Sequence, residues 1–235
     1  MKRLIALLLN DISFQFRHGL YFVYIVITIL YILLLQMVPN SYAHYIFIFL
    51  IFADVSALGF FFVGGIYLLE KDQGIHAPLF ATPIRAIEYI TAKLISLTLI
   101  ALGSTLFIAF SVFGLQVNYF ILCATVAASA SLFTMFGLGT AVKVKSVNAY
   151  LFLAMTVTLP LFLPILGFLD IVETPVWSFF PTNAILYGLW FSFEPPTIPQ
   201  GAYIIFSFLI WSVVSAIVLV FWFQRYAIKE LGGGK

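Results

Sequence analysis

A chain of 235 residues that is 63% hydrophobic and only 9% charged, with a mean hydropathy of +1.14, cannot cover itself against water. Soluble domains carry roughly 25% charged residues, so the main solvent of this chain must be lipid. Its long unbroken apolar runs exclude the short alternating segments of a membrane barrel and predict an all-α integral membrane protein with about six spans of ~20 residues.

The opening MKRLIALLLNDI imitates a secretion signal, but its apolar run from Leu4 to Leu9 is six residues long and stops at Asn10 and Asp11. No small-residue cleavage site follows, which argues against a signal peptide. On a helical projection Lys2, Arg3, Ala6, Asn10, Ser13 and Arg17 share one arc, while Leu4, Ile5, Leu7, Leu8, Ile12, Phe14 and Phe16 fill the rest. That pattern predicts an amphipathic helix over 2–17 lying in the membrane interface. Asp11 and Gln15 interrupt the apolar side, so part of it is expected to face protein. The simpler alternative is a basic leader before the first span.

Apolar runs between breakers predict spans at about 20–38, 44–69, 89–114, 119–141, 148–169 and 202–224. Asp54 falls near the middle of the second. A charge there is expensive and marks function by default; the competing reading is a protonated or hydrogen-bonded Asp that holds helices together. Its expected neighbours are Ser56, Gly59 and span four, whose Ala124, Thr125, Ala128, Ser129, Ser131, Thr134 and Gly137 allow close helix approach. Span four also holds the one cysteine, Cys123, which excludes an internal disulfide. Pro160 and Pro164 should kink span five.

The stretch YLLEKDQGIHAPLFATPIRAIEYITAKL, from Tyr67 to Leu94, gathers six of the chain's twenty charged residues. Gly74 and Pro78 break a continuous helix. Thr82-Pro83 has the form of a cap and first turn leading into span three. His76 is expected to be a polar surface residue. Bases alone would mark a cytoplasmic loop; here three acids accompany three bases, as on a surface that docks a protein. A plain solvated loop is the alternative.

Residues 170–200 are aromatic and apolar but cut by Pro175, Pro181, Pro195, Pro196 and Pro199, so no stretch is long enough to span. Thr174-Pro175 reads as a cap and first helical residue, and Thr182 or Asn183 as the cap of a second short helix ending at Trp190. Two half-helices dipping into the outer leaflet must pack on protein or line a cavity. The alternative is an amphipathic outer loop.

All eleven basic residues fall on one side of this span pattern: Lys2, Arg3 and Arg17; Lys71, Arg85 and Lys93; Lys143 and Lys145; Arg225, Lys229 and Lys235. The opposite loops hold only Asp170, Glu173 and Glu194. By the positive-inside rule both termini and the 70–88 loop are expected to be cytoplasmic, in the plasma or inner membrane.

The segment GGIYLLEKDQGIHAPLFATPIRAIEYITAKL resembles the signature of type-2 ABC exporter permeases. In that family span two ends in an acidic-basic cluster, here Glu70-Lys71-Asp72. Then come a glycine (Gly74), a short helix (Leu79-Phe80), a Thr-Pro step (Thr82-Pro83) and a lysine entering span three (Lys93). The amphipathic N-terminal helix, six spans and Pro-rich hairpin match as well, so the resemblance covers nearly the whole chain as one transmembrane domain, 1–235. It implies that the short helix is a coupling helix seated in a separate ATPase, with two permeases, identical or related, and two ATPases per transporter. Leu79 and Phe80 would anchor the contact, with Glu70, Lys71, Asp72 and Arg85 as its rim. Pro78 departs from the usual pattern and should shorten the helix.

The chain has no GxxxxGK[ST]; the terminal Gly232-Gly233-Gly234-Lys235 is not one. It has no HExxH, no Gly-x-Ser-x-Gly and no Cys/His cluster, and His18, His44 and His76 lie near span ends. No catalytic, metal or cofactor site is expected in this chain, and ATP with Mg would bind the partner ATPase. Lipid surrounds the chain, and no nucleic-acid partner is expected. The expected function is the permease subunit of an ATP-driven exporter of an amphipathic drug, peptide or lipid-like molecule. Two alternatives are a proton-coupled secondary transporter using Asp54 and a non-transporting assembly or immunity protein.

Overall fold

The computed structural model describes residues 2–82 and 84–228, and none of them forms a strand. Six of the helices are long and apolar enough to cross a membrane: Leu20–Met37, Asn40–Asp72, Ala86–Phe113, Tyr119–Ala141, Val147–Phe168 and Ile198–Tyr226, here spans one to six. The predicted order holds, with shifts at the ends. Span two begins behind Pro39 and runs to Asp72, so Glu70, Lys71 and Asp72 are its last turn rather than a loop. Span six begins at Ile198, where Thr197 N bonds Gln200 Oε1 at 2.9 Å in a capping box.

Spans two and four form the centre, with 61% of each apolar window buried, against 22%, 17% and 11% for spans one, five and six. Glycine makes that centre possible. A Cβ on Gly59 would stand 2.8 Å from the backbone nitrogen of Thr134, and one on Gly137 would stand 2.8 Å from Phe60 O. The two helices therefore cross backbone to backbone, as the small residues of span four suggest. At the crossing, span two opens into a π-turn over Leu58–Phe62, and Tyr150 of span five donates its hydroxyl to Phe60 O. In a bilayer a freed carbonyl needs such a partner. Span five breaks at Leu163–Pro164 into a last short turn, Ile165–Phe168.

Between spans five and six, Thr174 Oγ1 accepts from Val176 N and starts a 3-10 turn over Pro175–Phe179. The helix Pro181–Trp190 follows. Its cap position is Phe180 rather than Thr182 or Asn183, because Pro181 takes the first helical position and forces the residue before it to be extended. This helix is buried from Pro181 to Leu186 and packs on spans two, four and six, as an irregular segment at membrane depth must.

The N-terminal helix Lys2–Arg17 has three faces rather than two. Leu7, Asp11, Phe14 and Gln15 are buried against span three; Ile5, Leu9 and Phe16 are exposed and apolar; Arg3, Asn10, Ser13 and Arg17 are exposed and polar. Every Lys and Arg among the described residues belongs to one end of the bundle, and Asp170, Glu173 and Glu194 belong to the other.

Candidate functional site

The basic end is organised around a buried lysine. Lys93 sits two turns into span three with 1% of its surface exposed. Its Nζ donates to Asp11 Oδ1 on the N-terminal helix and, at 2.5 Å, to Glu70 Oε1 at the end of span two. Both carboxylates are themselves buried, and their remaining oxygens are bonded. Tyr89 Oη donates to Glu70 Oε2 at 2.5 Å. Ser96 Oγ donates to Asp11 Oδ2, which also accepts from Gln15 Nε2 at 2.8 Å. Gln15 Nε2 lies 2.9 Å from Ser96 Oγ as well. Two carboxylates thus share one ammonium and are completed by neutral donors, the condition under which a buried charge cluster is tolerated.

The short helix His76–Ala81 is tied to this cluster. His76 Nε2 lies 3.5 Å from Glu70 Oε2, and its ring packs 4.7 Å from that of Tyr67 and edge-on to Tyr89. Phe223 of span six packs on the same rings, 5.6 Å from that of Tyr89 and 6.2 Å from that of Tyr67. Four elements therefore meet at one polar knot: the N-terminal helix, span two, the short helix and span three. Pro78 occupies the first turn of the short helix, where its missing N–H breaks no internal bond, and the helix ends with Thr82 Oγ1 donating to Leu79 O at 2.5 Å.

Several expectations need correction here. Glu70 is not on an exposed rim but turns inward to Lys93, because the last turn of span two continues the helix. His76 is buried at 4% exposure rather than on the surface. Thr82 closes the short helix instead of opening span three, which begins at Ala86, where Glu88 Oε2 accepts from Arg85 N at 2.8 Å. Asp72, Gly74, Thr82 and Arg85 are exposed, Lys71 is half-buried, and Leu79 is half-buried against its own chain. The side chain of Phe80, and Pro83 altogether, lie outside the described residues. Between the N-terminal helix and the short helix runs a groove of about 340 Å³ lined by Arg3, Leu7, Asn10, Leu79 and Ile84, among others.

Sequence reading missed Asp11 and Lys93 as partners because 82 positions separate them. The signal was present in part. An acid on the apolar arc of an amphipathic helix and a lysine two turns inside an apolar span each require a counterpart.

Asp54 stands apart. It is 4% exposed in span two, and its Oδ2 has no hydrogen-bond partner among the described residues. Ser56, expected beside it, bonds Ala53 O of its own helix at 2.9 Å. Tyr24 and Tyr31 of span one lie within its electrostatic reach.

Six apolar spans, two of them tied to the N-terminal helix by a buried ion cluster beneath a short interhelical helix, define a multi-pass membrane protein. A family model described as the fluoroquinolones export permease protein family matches residues 2–231, and the chain belongs to that family. Two curated relatives, each named a fluoroquinolones export permease protein, come from Mycobacterium tuberculosis strains CDC 1551 / Oshkosh and ATCC 25618 / H37Rv. Each is 27% identical over 196 residues, covering 83% of this chain and 82% of the relative. Membership bears out the resemblance to exporter permeases, and the chain is a membrane-spanning permease of an export family.

Proposed function

We propose that the chain is the membrane subunit of an ATP-driven ABC exporter, docking a separate ATPase at its basic end and working beside a second permease copy. The basic end then faces the cytoplasm of a plasma or inner membrane, by the positive-inside rule. The observation that carries the reading is the polar knot. A load on the helix His76–Ala81 passes through His76, Glu70 and Lys93 to spans two and three and to the N-terminal helix. Asp72 and Arg85, both exposed beside that helix, supply charges that set the partner's orientation, and Lys71, Gly74, Leu79, Phe80, Thr82 and Pro83 complete the docking segment. ATP and Mg bind in the partner. The names of the relatives support an amphipathic aromatic drug of the fluoroquinolone type as cargo.

The test is co-expression with candidate ATPases, copurification, and ATP-dependent efflux of a fluorescent fluoroquinolone from proteoliposomes. Asp72→Lys with Arg85→Glu should loosen the complex at low salt without lowering the permease level in the membrane. Transport that runs without any ATPase would overturn the reading.

One observation favours a second reading, proton-coupled transport: Asp54 Oδ2 has no hydrogen-bond partner among the described residues. Asp54→Asn keeps the size and removes the titratable proton. Full ATP-dependent export by that variant, with no pH-driven uptake lost, would remove proton coupling from consideration.

A further inference from the structure

The end of the molecule opposite the ion cluster contains a cleft that the export reading does not use. It lies between the broken end of span five, the 3-10 turn Pro175–Phe179, the helix Pro181–Trp190 and the first turns of span six. Its volume is about 450 Å³, within the ~300–1,000 Å³ of sites that take small organic molecules. The exposed Asp170 and Glu173 line it together with Trp177, Asn183, Tyr187 and Tyr203.

The walls are held in place. Trp177 Nε1 donates to Val172 O at 2.8 Å, and its ring lies directly on Gly167, where a Cβ would come 2.9 Å from Nε1. Tyr203 Oη donates to Ser178 O and accepts from Asn183 Nδ2, each at 3.1 Å. Asn183 is 6% exposed, and with Nδ2 committed, its Oδ1 is left as an acceptor at the cleft. Tyr187 is fixed edge-on to Phe168, ring centres 5.7 Å apart. The aromatic surfaces are thus presented before any ligand arrives, which spares the ordering that a flexible site must supply.

The charge of the cleft has one sign. Neither Asp170 nor Glu173 makes an ion pair among the described residues, and every described Lys and Arg belongs to the far end of the bundle. A cleft lined by acids with low-dielectric walls concentrates cations, and ring faces attract an ammonium group. A phosphate-bearing ligand would find no basic partner here. A bare metal ion would find no group of three or more His, Cys, Asp or Glu side chains to hold it among the described residues.

We infer that this cleft binds an organic cation: an aromatic or apolar body carrying an ammonium group, with the ammonium at Asp170 and Glu173 and the body between Trp177, Tyr187 and Tyr203. The site goes beyond the export reading and needs neither ATPase nor nucleotide, so its failure and the failure of that reading are separable.

The test uses the full chain in dodecyl maltoside, a neutral detergent without lipid ammonium groups. The probes are 1-phenylpiperazine, cationic at pH 7, and 4-phenylmorpholine, of the same shape and neutral at that pH. Isothermal titration should show the cation binding at least tenfold more tightly than the neutral probe. Raising the salt from 50 to 500 mM should erode that preference. Asp170→Asn with Glu173→Gln should abolish it while leaving the melting midpoint unchanged. Both residues are exposed, and Asp170 has φ 55°, a conformation that Asn also adopts readily. Equal binding of the two probes by the native chain, or full preference retained by the double variant, would overturn the assignment.

Discussion

Replacing Lys93 by Met removes the ammonium and keeps most of the side chain's bulk. Asp11 and Glu70, 4% and 3% exposed, are then left around an apolar side chain with no cation between them. Taking one partner from a buried ion pair costs about 3–5 kcal/mol, because the remaining charge stays in a medium that solvates it poorly. Here one ammonium serves two carboxylates, while Tyr89, Ser96 and Gln15 keep their hydrogen bonds to them. The upper end of that range, about 5 kcal/mol, is the expected loss. For a chain of this size 1 kcal/mol moves the melting midpoint by roughly 2–4 °C, so the variant should melt about 10–20 °C below the native chain. The assay is a thermal melt of the purified protein in detergent at one fixed scan rate, with the amount reaching the membrane as control. A companion with Asp11→Asn, Glu70→Gln and Lys93→Met holds no charge at the site and should recover most of the loss, since neutralising a whole buried group is far milder than halving it. If Lys93→Met melts within about 2 °C of the native chain, or the triple variant melts no higher than the single one, the polar knot does not hold these four elements together.

Three further outcomes follow from the fold. Gly137→Val pushes a side chain against Phe60 O and Val63 at the crossing of spans two and four; overpacking of that kind should cost about 1–3 kcal/mol or more, read as a lower melting midpoint and faster proteolysis. Tyr150→Phe leaves the Phe60 carbonyl without its donor and should cost about 1–3 kcal/mol, whereas Thr156→Ala, on the exposed face of the same span, should melt like the native chain. In a Cys123→Ser background, Asp72→Cys should label only from the cytoplasm and Glu173→Cys only from outside; both positions are exposed, and the reverse pattern would invert the proposed orientation.

The spans were legible because the bilayer imposes one strong rule, a long apolar stretch with its backbone bonds closed. Span four is bounded by Tyr119 and Ala141 both in the apolar run and in the fold. The glycine crossing was legible in kind, through Gly59 and Gly137, but not in register, which depends on a π-turn that no local pattern announces. The candidate site was half legible. The crowding of charge between Tyr67 and Leu94 pointed to the right segment. Which of those charges turn inward depends on a helix that passes the last apolar residue by one turn, carrying Glu70 to face Lys93. The partner at Asp11 comes from another element altogether. His76 was misplaced for the same reason: a short helix folded back on the bundle buries what a loop would have exposed.

The two ends of the bundle differ in how they can move. At the centre, spans two and four are locked by glycine contacts that admit no side chain between them, so they cannot slide without separating. At the basic end the ion cluster binds the N-terminal helix and span three to span two, through bonds whose loss strands buried charge. Displacement of the short helix must therefore be taken up by the central helices moving as a block. Spans one, five and six bury little of their surface within the chain, and span five is already broken at Leu163–Pro164. Those peripheral spans are therefore the more weakly held, whereas the segment that joins the last two is fixed by the bonds of Trp177, Asn183 and Tyr203. That segment forms the acidic cleft. On the export reading, work done at one face of the membrane is thus delivered through a stiff centre to the face where cargo must leave, and the weakly packed outer spans are the surfaces left for lipid and a second permease.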